Sequence, residues 1–193
     1  MKMDMCMSVC RQADVKHMSK ELRSSGLRMC LRTTGERKEK TMLKGIPAIL
    51  SPELLKVLCE MGHGDRICIG DGNFPGTSMA KPNDCVVVRL DGHGVNEILD
   101  AILQVMPLDE YTDHPVMLMD KMECDRDMDI PVWKDYKKTV KKYDKRGAKA
   151  FGAYERFEFY EQAKKCYCIL QTGETQVYAN VILQKGVVKL KQS

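Results

Sequence analysis

A few polar residues interrupt the apolar runs of this chain, and they set the chemistry it can do. His63 lies between Gly62 and Gly64, just past an apolar stripe at helical spacing. Flanking glycines leave its ring little local packing, and imidazole suits giving and taking a proton near neutrality. The alternative is a ring that hydrogen-bonds the exposed helix end. Asp65 either fixes the imidazole tautomer or caps nearby backbone. Asp71, between Gly70 and Gly72, offers a carboxylate to sugar hydroxyls or closes an Asx turn. The run Arg156-Phe157-Glu158-Phe159-Tyr160-Glu161 packs a cation, two acids and a phenol around two aromatics. Tyr160 there is a second proton carrier if neighbours lower its pKa, or a core aromatic with a satisfied hydroxyl. Asn180, within Tyr178-Ala179-Asn180, presents a donor and an acceptor together, as sugar hydroxyls do.

The motifs that are missing narrow the chemistry further. No GxGxxG follows a strand-like run, and there is no GxxxxGK[ST], GxSxG, HExxH or kinase signature. Nine cysteines include no CxxC pair. Cys166 and Cys168 stand at alternate positions of a strand-like run and would face the same way, but Tyr167 and Ile169 surround them, so no zinc site is expected. A His, a Tyr, an Asp, an Arg and an Asn with no metal or nucleotide motif point to proton shuffling on a neutral polyol.

The elements that must hold these residues are legible from Met42 onward. Ser51-Pro52-Glu53 is a helix start, with Ser51 as N-cap and Pro52 at the first helical position. Leu54, Leu55, Val57, Leu58 and Met61 follow at helical spacing, and Gly62 marks the stop. Residues 66–69 read as a short strand, and 85–90 as a strand covered on both faces. Val95, Ile98, Leu99, Ile102, Leu103 and Met106 mark a second amphipathic helix. Residues 115–119 read as a strand, 131–142 as a polar helix with Trp133 and Tyr136 on one face, and 155–165 as a helix. Strands at 166–170 and 178–183 flank the turn Thr172-Gly173-Glu174. Strands and helices alternate, so the expected class is α/β with a largely parallel sheet.

The length of 193 residues fits one domain plus a tail. The formal charge of +4 is unevenly placed: residues 1–41 hold ten Lys/Arg and five Asp/Glu, and the remainder is close to neutral. Residues 1–41 lack sustained periodicity and are expected to be a disordered extension, with the folded domain at 42–193. The basic stretch Lys137 to Arg146 reads as a solvated helix face, not an RNA site. No apolar run reaches a membrane span, and the opening residues do not read as a secretory h-region. The expected setting is cytoplasmic, with neither nucleic acid nor membrane as partner.

Seven stretches occur in order: Ser51-Pro52-Glu53-Leu54-Leu55, Met61-Gly62-His63-Gly64-Asp65, Asp71-Gly72-Asn73-Phe74-Pro75, Arg89-Leu90-Asp91-Gly92, the Arg156–Glu161 run, Thr172-Gly173-Glu174 and Tyr178-Ala179-Asn180. Together they resemble the D-ribose pyranase/fucose mutarotase family over about residues 42–188. The resemblance implies a three-layer α/β sandwich with helices flanking the sheet. It implies an isomerase that interconverts the α and β anomers of free L-fucose without cofactor or metal. It also implies homo-oligomers, from dimers up to decamers, with sites close to subunit contacts. By motif match, His63 and Tyr160 would be catalytic, and Asp71, Arg156, Tyr178, Asn180, Asp109 and Met119 would contact the sugar. One departure stands out: Tyr178-Ala179-Asn180 has the form common in ribose pyranases, where fucose enzymes usually carry Tyr-Gly-Asn. His63-Gly64-Asp65 and the Arg156–Glu161 run favour fucose. The alternatives are a pyranase or mutarotase acting on D-ribose or another free monosaccharide, a non-catalytic sugar-binding module, and an interaction protein that uses its basic tail.

Overall fold

A computed structural model describes residues 43–189. The leading segment and the expected domain start at Met42 lie outside the described residues. Helix α1 (Pro52–Glu60) begins as its sequence dictates: the Ser51 hydroxyl accepts the Leu54 N–H at 3.2 Å, and Pro52 occupies the first turn. Leu54, Val57 and Leu58 are its buried stripe. The stop falls where expected, with Gly62 just past the C-cap, but by a different geometry. Met61 turns extended and ends the helix, and Gly62 is not left-handed. The left-handed residue is Gly64, at φ 85°. The Gly62 N–H is held instead by Asp65 Oδ2 at 2.7 Å, so Asp65 caps backbone and does not touch His63.

Strands β1 (Arg66–Gly70), β2 (Val86–Leu90), β3 (Val116–Met119), β4 (Phe151–Tyr154), β5 (Cys168–Thr172) and β6 (Val181–Gln184) form one sheet in the order β2-β5-β1-β6-β3-β4. Five strands run one way. β6 alone runs against them, antiparallel to both β1 and β3. Helices α3 (Val95–Val105) and α4 (Pro131–Tyr143) cover one face together with α1, while α2 (Gly76–Ala80) and α5 (Arg156–Ala163) cover the other. The alternation of strand side chains sorts the core into these two layers. Ile67, Ile69, Leu170, Val181 and Leu183 join the α1/α3/α4 side. Cys68, Ile169 and Ile182 join the α2/α5 side with Phe74 and Phe159. Each large side chain so buried contributes roughly 1.5–3 kcal/mol. This is the expected three-layer α/β sandwich.

Two expectations about position need correction. β2 is not covered on both faces: it is an edge strand paired only with β5, with Val86 exposed and Arg89 in solvent bonded to Asp91. Cys166 and Cys168 do not face the same way, because Cys166 lies in the turn before β5. Its thiol packs on the α5 side, and that of Cys168 on the opposite layer. Strand β4 and helix α2 have no counterpart in the sequence reading, since each is only four or five residues long.

Candidate active site

The antiparallel pairing of β1 with β6 creates the site. Its register sets Ile69 opposite Val181, so Asp71, just past the end of β1, lies beside Asn180, just before β6. The two lock reciprocally. Asp71 N–H donates to Asn180 Oδ1 at 2.8 Å, and Asn180 Nδ2 donates to Asp71 Oδ2 at 2.8 Å. Asp71 Oδ1 also accepts the Asn73 N–H at 2.9 Å, so the Asx turn is present as well. Gln171 Nε2 holds the Asp71 carbonyl at 2.6 Å. The turn after β5 fixes this loop in place: Thr172 Oγ1 donates to the Gly70 carbonyl, and the Gly72 N–H donates to the Glu174 carbonyl, both at 2.8 Å. Gly70 itself must lack a side chain, because a Cβ there would lie 2.7 Å from the Phe74 side chain.

Burial pushes the Asp71 carboxyl above the ordinary range for aspartate, only partly offset by hydrogen bonds from the Asn73 N–H, Asn180 and the Phe74 N–H. Asp71 is 4% exposed, and its charge faces a cavity of about 300 Å³ whose walls include Phe74, Met119, Arg156, Tyr160, Tyr178 and Asn180. These lie at or beyond the C-terminal ends of β1, β3, β4 and β5, in loops, at the end of β3 and on α5, where open α/β sheets bind ligands. Glu155 caps α5 by accepting the Phe157 and Glu158 N–H groups, which sets Arg156 and Tyr160 one turn apart on the helix face over the cavity. Arg156 Nε donates to the Tyr160 hydroxyl at 3.2 Å, and its guanidinium lies 5.7 Å from the Tyr160 ring centroid. Tyr160 is therefore not a core aromatic. Tyr178 adopts a left-handed backbone, at φ 59°. Trp133 Nε1 holds its carbonyl at 2.8 Å, and the buried Tyr136 hydroxyl holds that of Ala179 at 2.7 Å. The core-facing side of α4 thus pins the strand entry that carries Tyr178 and Asn180.

His63 and Asp109 are not in this cavity. His63 precedes β1 and so sits at the opposite end of that strand from Asp71. Five residues at about 3.3 Å each put roughly 16 Å between the two ends. Within one chain, then, the imidazole and the Tyr160 phenol do not converge. His63 Nε2 instead meets Asp109 Oδ1 at 3.1 Å, and its ring packs edge-on to Tyr111 at 5.5 Å. The ring does not cap the helix end. Asp109 was expected to touch the sugar, but its buried carboxylate is taken up by His63, the Tyr111 N–H, the Thr112 hydroxyl and Gln184 Nε2. Burial opposes its charge, yet the Tyr111 N–H, His63 and Thr112 together hold the carboxyl below its usual range. An ionised carboxylate can only accept, so Nε2 of His63 carries the proton and Nδ1 is left as the basic nitrogen. The Asp109 carboxylate thus fixes the orientation of the His63 ring.

A pH prediction follows from the sign of that shift. A folded pKa below the unfolded value gives stability that is present above about pH 3.9 and lost as pH falls through the folded value. Asp109→Asn should therefore lower Tm at pH 7, with the gap from wild type narrowing as melts are run down to pH 3. A gap of constant size across that range would contradict it.

Sequence reasoning missed Asp125, Met128 and Val177, which complete the cavity wall. Their only signal was position in the polar loop after β3 and the loop after β5. A larger groove, about 680 Å³, runs along Leu103–Leu108, Tyr143–Arg146 and Val187–Lys189; among its polar groups, Arg146 pairs with Asp144 and Lys189 with Glu110. Among the described residues, no group of three or more His, Cys, Asp or Glu could hold a metal ion, and no helix is long and apolar enough to cross a membrane.

Residues 44–188 match the RbsD / FucU transport protein family. The chain belongs to this family. FucU from Bifidobacterium longum is 57% identical in sequence, with a TM-score of 0.73, across 76% of this chain and the whole of that one. The fucose mutarotase of Streptococcus pneumoniae, solved in complex with L-fucose, is 43% identical with a TM-score of 0.69, over 76% of this chain and all of that one. The human fucose mutarotase is 43% identical over 150 residues, which is 77% of this chain and 96% of its own length. As in other α/β proteins, the RbsD/FucU fold by itself does not fix the chemistry; the residues at the site must.

Proposed function

We propose that this protein is a fucose mutarotase, an isomerase that interconverts the α and β anomers of free L-fucose. The observation that carries the reading is the reciprocal Asp71–Asn180 pair in a cavity walled by Arg156, Tyr160 and Tyr178. It supplies donors, acceptors and aromatic surface, in a volume at the lower end of small-molecule pockets. The RbsD/FucU relative from S. pneumoniae, with L-fucose bound, supports the choice of sugar. Mutarotation removes a proton from the anomeric hydroxyl and delivers one to the ring oxygen. The open aldehyde then turns about its C1–C2 bond and recloses on the other face. Asp71, Arg156 and Asn180 hold the sugar's hydroxyls, and Met119 and Tyr178 shape the wall against it.

The two proton carriers are His63 and Tyr160, brought together from two copies of the chain. His63 Nδ1 is the base that Asp109 leaves available, and the Tyr160 phenol, bonded to Arg156, is its counterpart in the pocket. Both ends carry apolar surface suited to a subunit contact. Beside the 46%-exposed His63 side chain, Tyr111 is 79% exposed, and Val188 lies 59% exposed in the adjoining groove. At the pocket, Phe157 next to Arg156 is 61% exposed, and Met128 and Val177 are exposed too. The reading takes the protein as a cytoplasmic homo-oligomer. The six described cysteines are all free, and burial pushes the Cys166 thiol up to about 12, which leaves it unreactive in a reducing compartment.

The test is saturation-transfer NMR of anomer exchange with L-fucose and D-ribose side by side. Catalytic amounts of protein should accelerate exchange of L-fucose well above the buffer rate, and that of D-ribose less. Binding with no acceleration would make the protein a sugar-binding module, and faster exchange of D-ribose would reverse the choice of substrate.

A further inference from the structure

Asp125 is the cavity residue that neither the motifs nor the mutarotase reading uses. It ends a 3₁₀ turn, Glu123–Asp125, in the loop that leaves β3. One carboxylate oxygen, Oδ2, accepts the Tyr178 hydroxyl proton at 2.5 Å. The other, Oδ1, has no hydrogen-bond partner among the described residues, although a carboxylate can accept about four hydrogen bonds. The carboxylate is also firmly placed. The Met122 N–H donates to the same Tyr178 oxygen at 3.3 Å, and Arg126 pairs with Glu123 at 2.9 Å. Lys121 Nζ ties the loop to the carbonyls of Arg126 and Met128. At the far end of the Tyr178 side chain, its backbone is held by Trp133.

These contacts fix the polarity of this corner of the pocket. The one proton of Tyr178 is committed to Asp125, its oxygen accepts the Met122 N–H, and the hydrogen bond to Asp125 pushes the phenol pKa up, so Tyr178 has no donor to spare for a ligand. Beside it stands Asp125 Oδ1, an acceptor. The two leave this corner without a free donor and with Asp125 Oδ1 as its open acceptor, while Arg156 supplies donors from α5. We propose that Asp125 is a specificity-determining residue, whose free oxygen takes the proton of one particular hydroxyl of the pyranose. This rests on the mutarotase reading and deepens it. A sugar that lacks that hydroxyl leaves a desolvated carboxylate oxygen unpaired, and a site built to hydrogen-bond a hydroxyl rejects the analogue without it.

The experiment is a binding cycle on the full chain by isothermal titration. The ligands are L-fucose and its four analogues that each lack one hydroxyl, at C1, C2, C3 or C4. The proteins are wild type, Asp125→Asn and, should that variant fold poorly, Asp125→Ser, each checked by thermal melting. We expect the variant to bind L-fucose about 10- to 100-fold more weakly. We also expect a single analogue to bind wild type and variant within about twofold of each other, since it lacks the partner of Asp125. A variant that binds L-fucose as wild type does overturns the proposal. So does a variant that weakens all five ligands by the same factor, which would make Asp125 a support for the wall and nothing more. Failure of the parent reading shows separately, as wild type that does not bind L-fucose at all.

Discussion

Replacing His63 with alanine is expected to slow L-fucose anomer exchange at saturating sugar by about 10²–10⁴-fold, the usual worth of general acid–base help. KM should stay close to wild type, because His63 grips no hydroxyl in the pocket. The split between the two constants distinguishes a proton carrier from a binding residue. It also separates the effect from misfolding: the His63 ring is half exposed and rests on Tyr111, and its loss opens no core cavity. Asp109→Asn should mimic part of the loss, since an amide in place of an acceptor-only carboxylate no longer dictates which ring nitrogen carries the proton. Full activity in His63→Ala, followed by saturation-transfer NMR, would remove the imidazole from the mechanism.

Replacing Asp71 with alanine should act on the other constant. KM for L-fucose is expected to rise about 10- to 100-fold, the range for hydrogen bonds to a charged group, with a smaller fall in kcat. Two of the carboxylate's acceptor sites are used by Asn73 and Asn180, which leaves capacity for sugar hydroxyls. The truncation also strands the Asn180 amide and frees the loop after β1, so Tm should fall as well. The sign of the pH effect is opposite to that at Asp109. Burial raises the Asp71 pKa, so this residue favours the folded state most fully below the ordinary aspartate value, and the contribution fades as pH rises through its folded pKa. The same shift means that binding in the wild type weakens in acid sooner than an exposed aspartate would allow. A KM for Asp71→Ala within twofold of wild type would place the sugar elsewhere.

Much of this was legible in the sequence because it is local. Ser51-Pro52-Glu53 starts α1, and the apolar stripes of α1 and α3 face the core as their spacing demands. The pocket residues Asp71, Met119, Arg156, Tyr160, Tyr178 and Asn180 do share one cavity. What was not legible depends on strand order. Nothing in the residues 181–184 says that β6 runs backward between β1 and β3, yet that insertion puts Asp71 against Asn180 and carries Gln184 to the His63 end. For the same reason the separate motifs that carry His63 and Tyr160 give no hint that a strand's length lies between them. The turn-like spacing of Cys166 and Cys168 imitates a strand, and only the end of α5 shows which of them enters it. Asp125 sits among Glu123, Arg126, Asp127 and Asp129, where charge looks like ordinary solvated loop, and its partner Tyr178 is 53 positions away.

In the proposed mechanism two half-sites on different copies of the chain close on one pyranose. Co-expressing His63→Ala with Tyr160→Phe in equal amounts, and purifying the mixed oligomers, tests it directly. Each variant alone should be nearly inactive. Random assembly gives about one-quarter of pockets an intact phenol from one copy and an intact imidazole from its neighbour, so exchange should recover to about that fraction of wild type. Mixed oligomers no more active than either variant alone would rule out a site shared between copies.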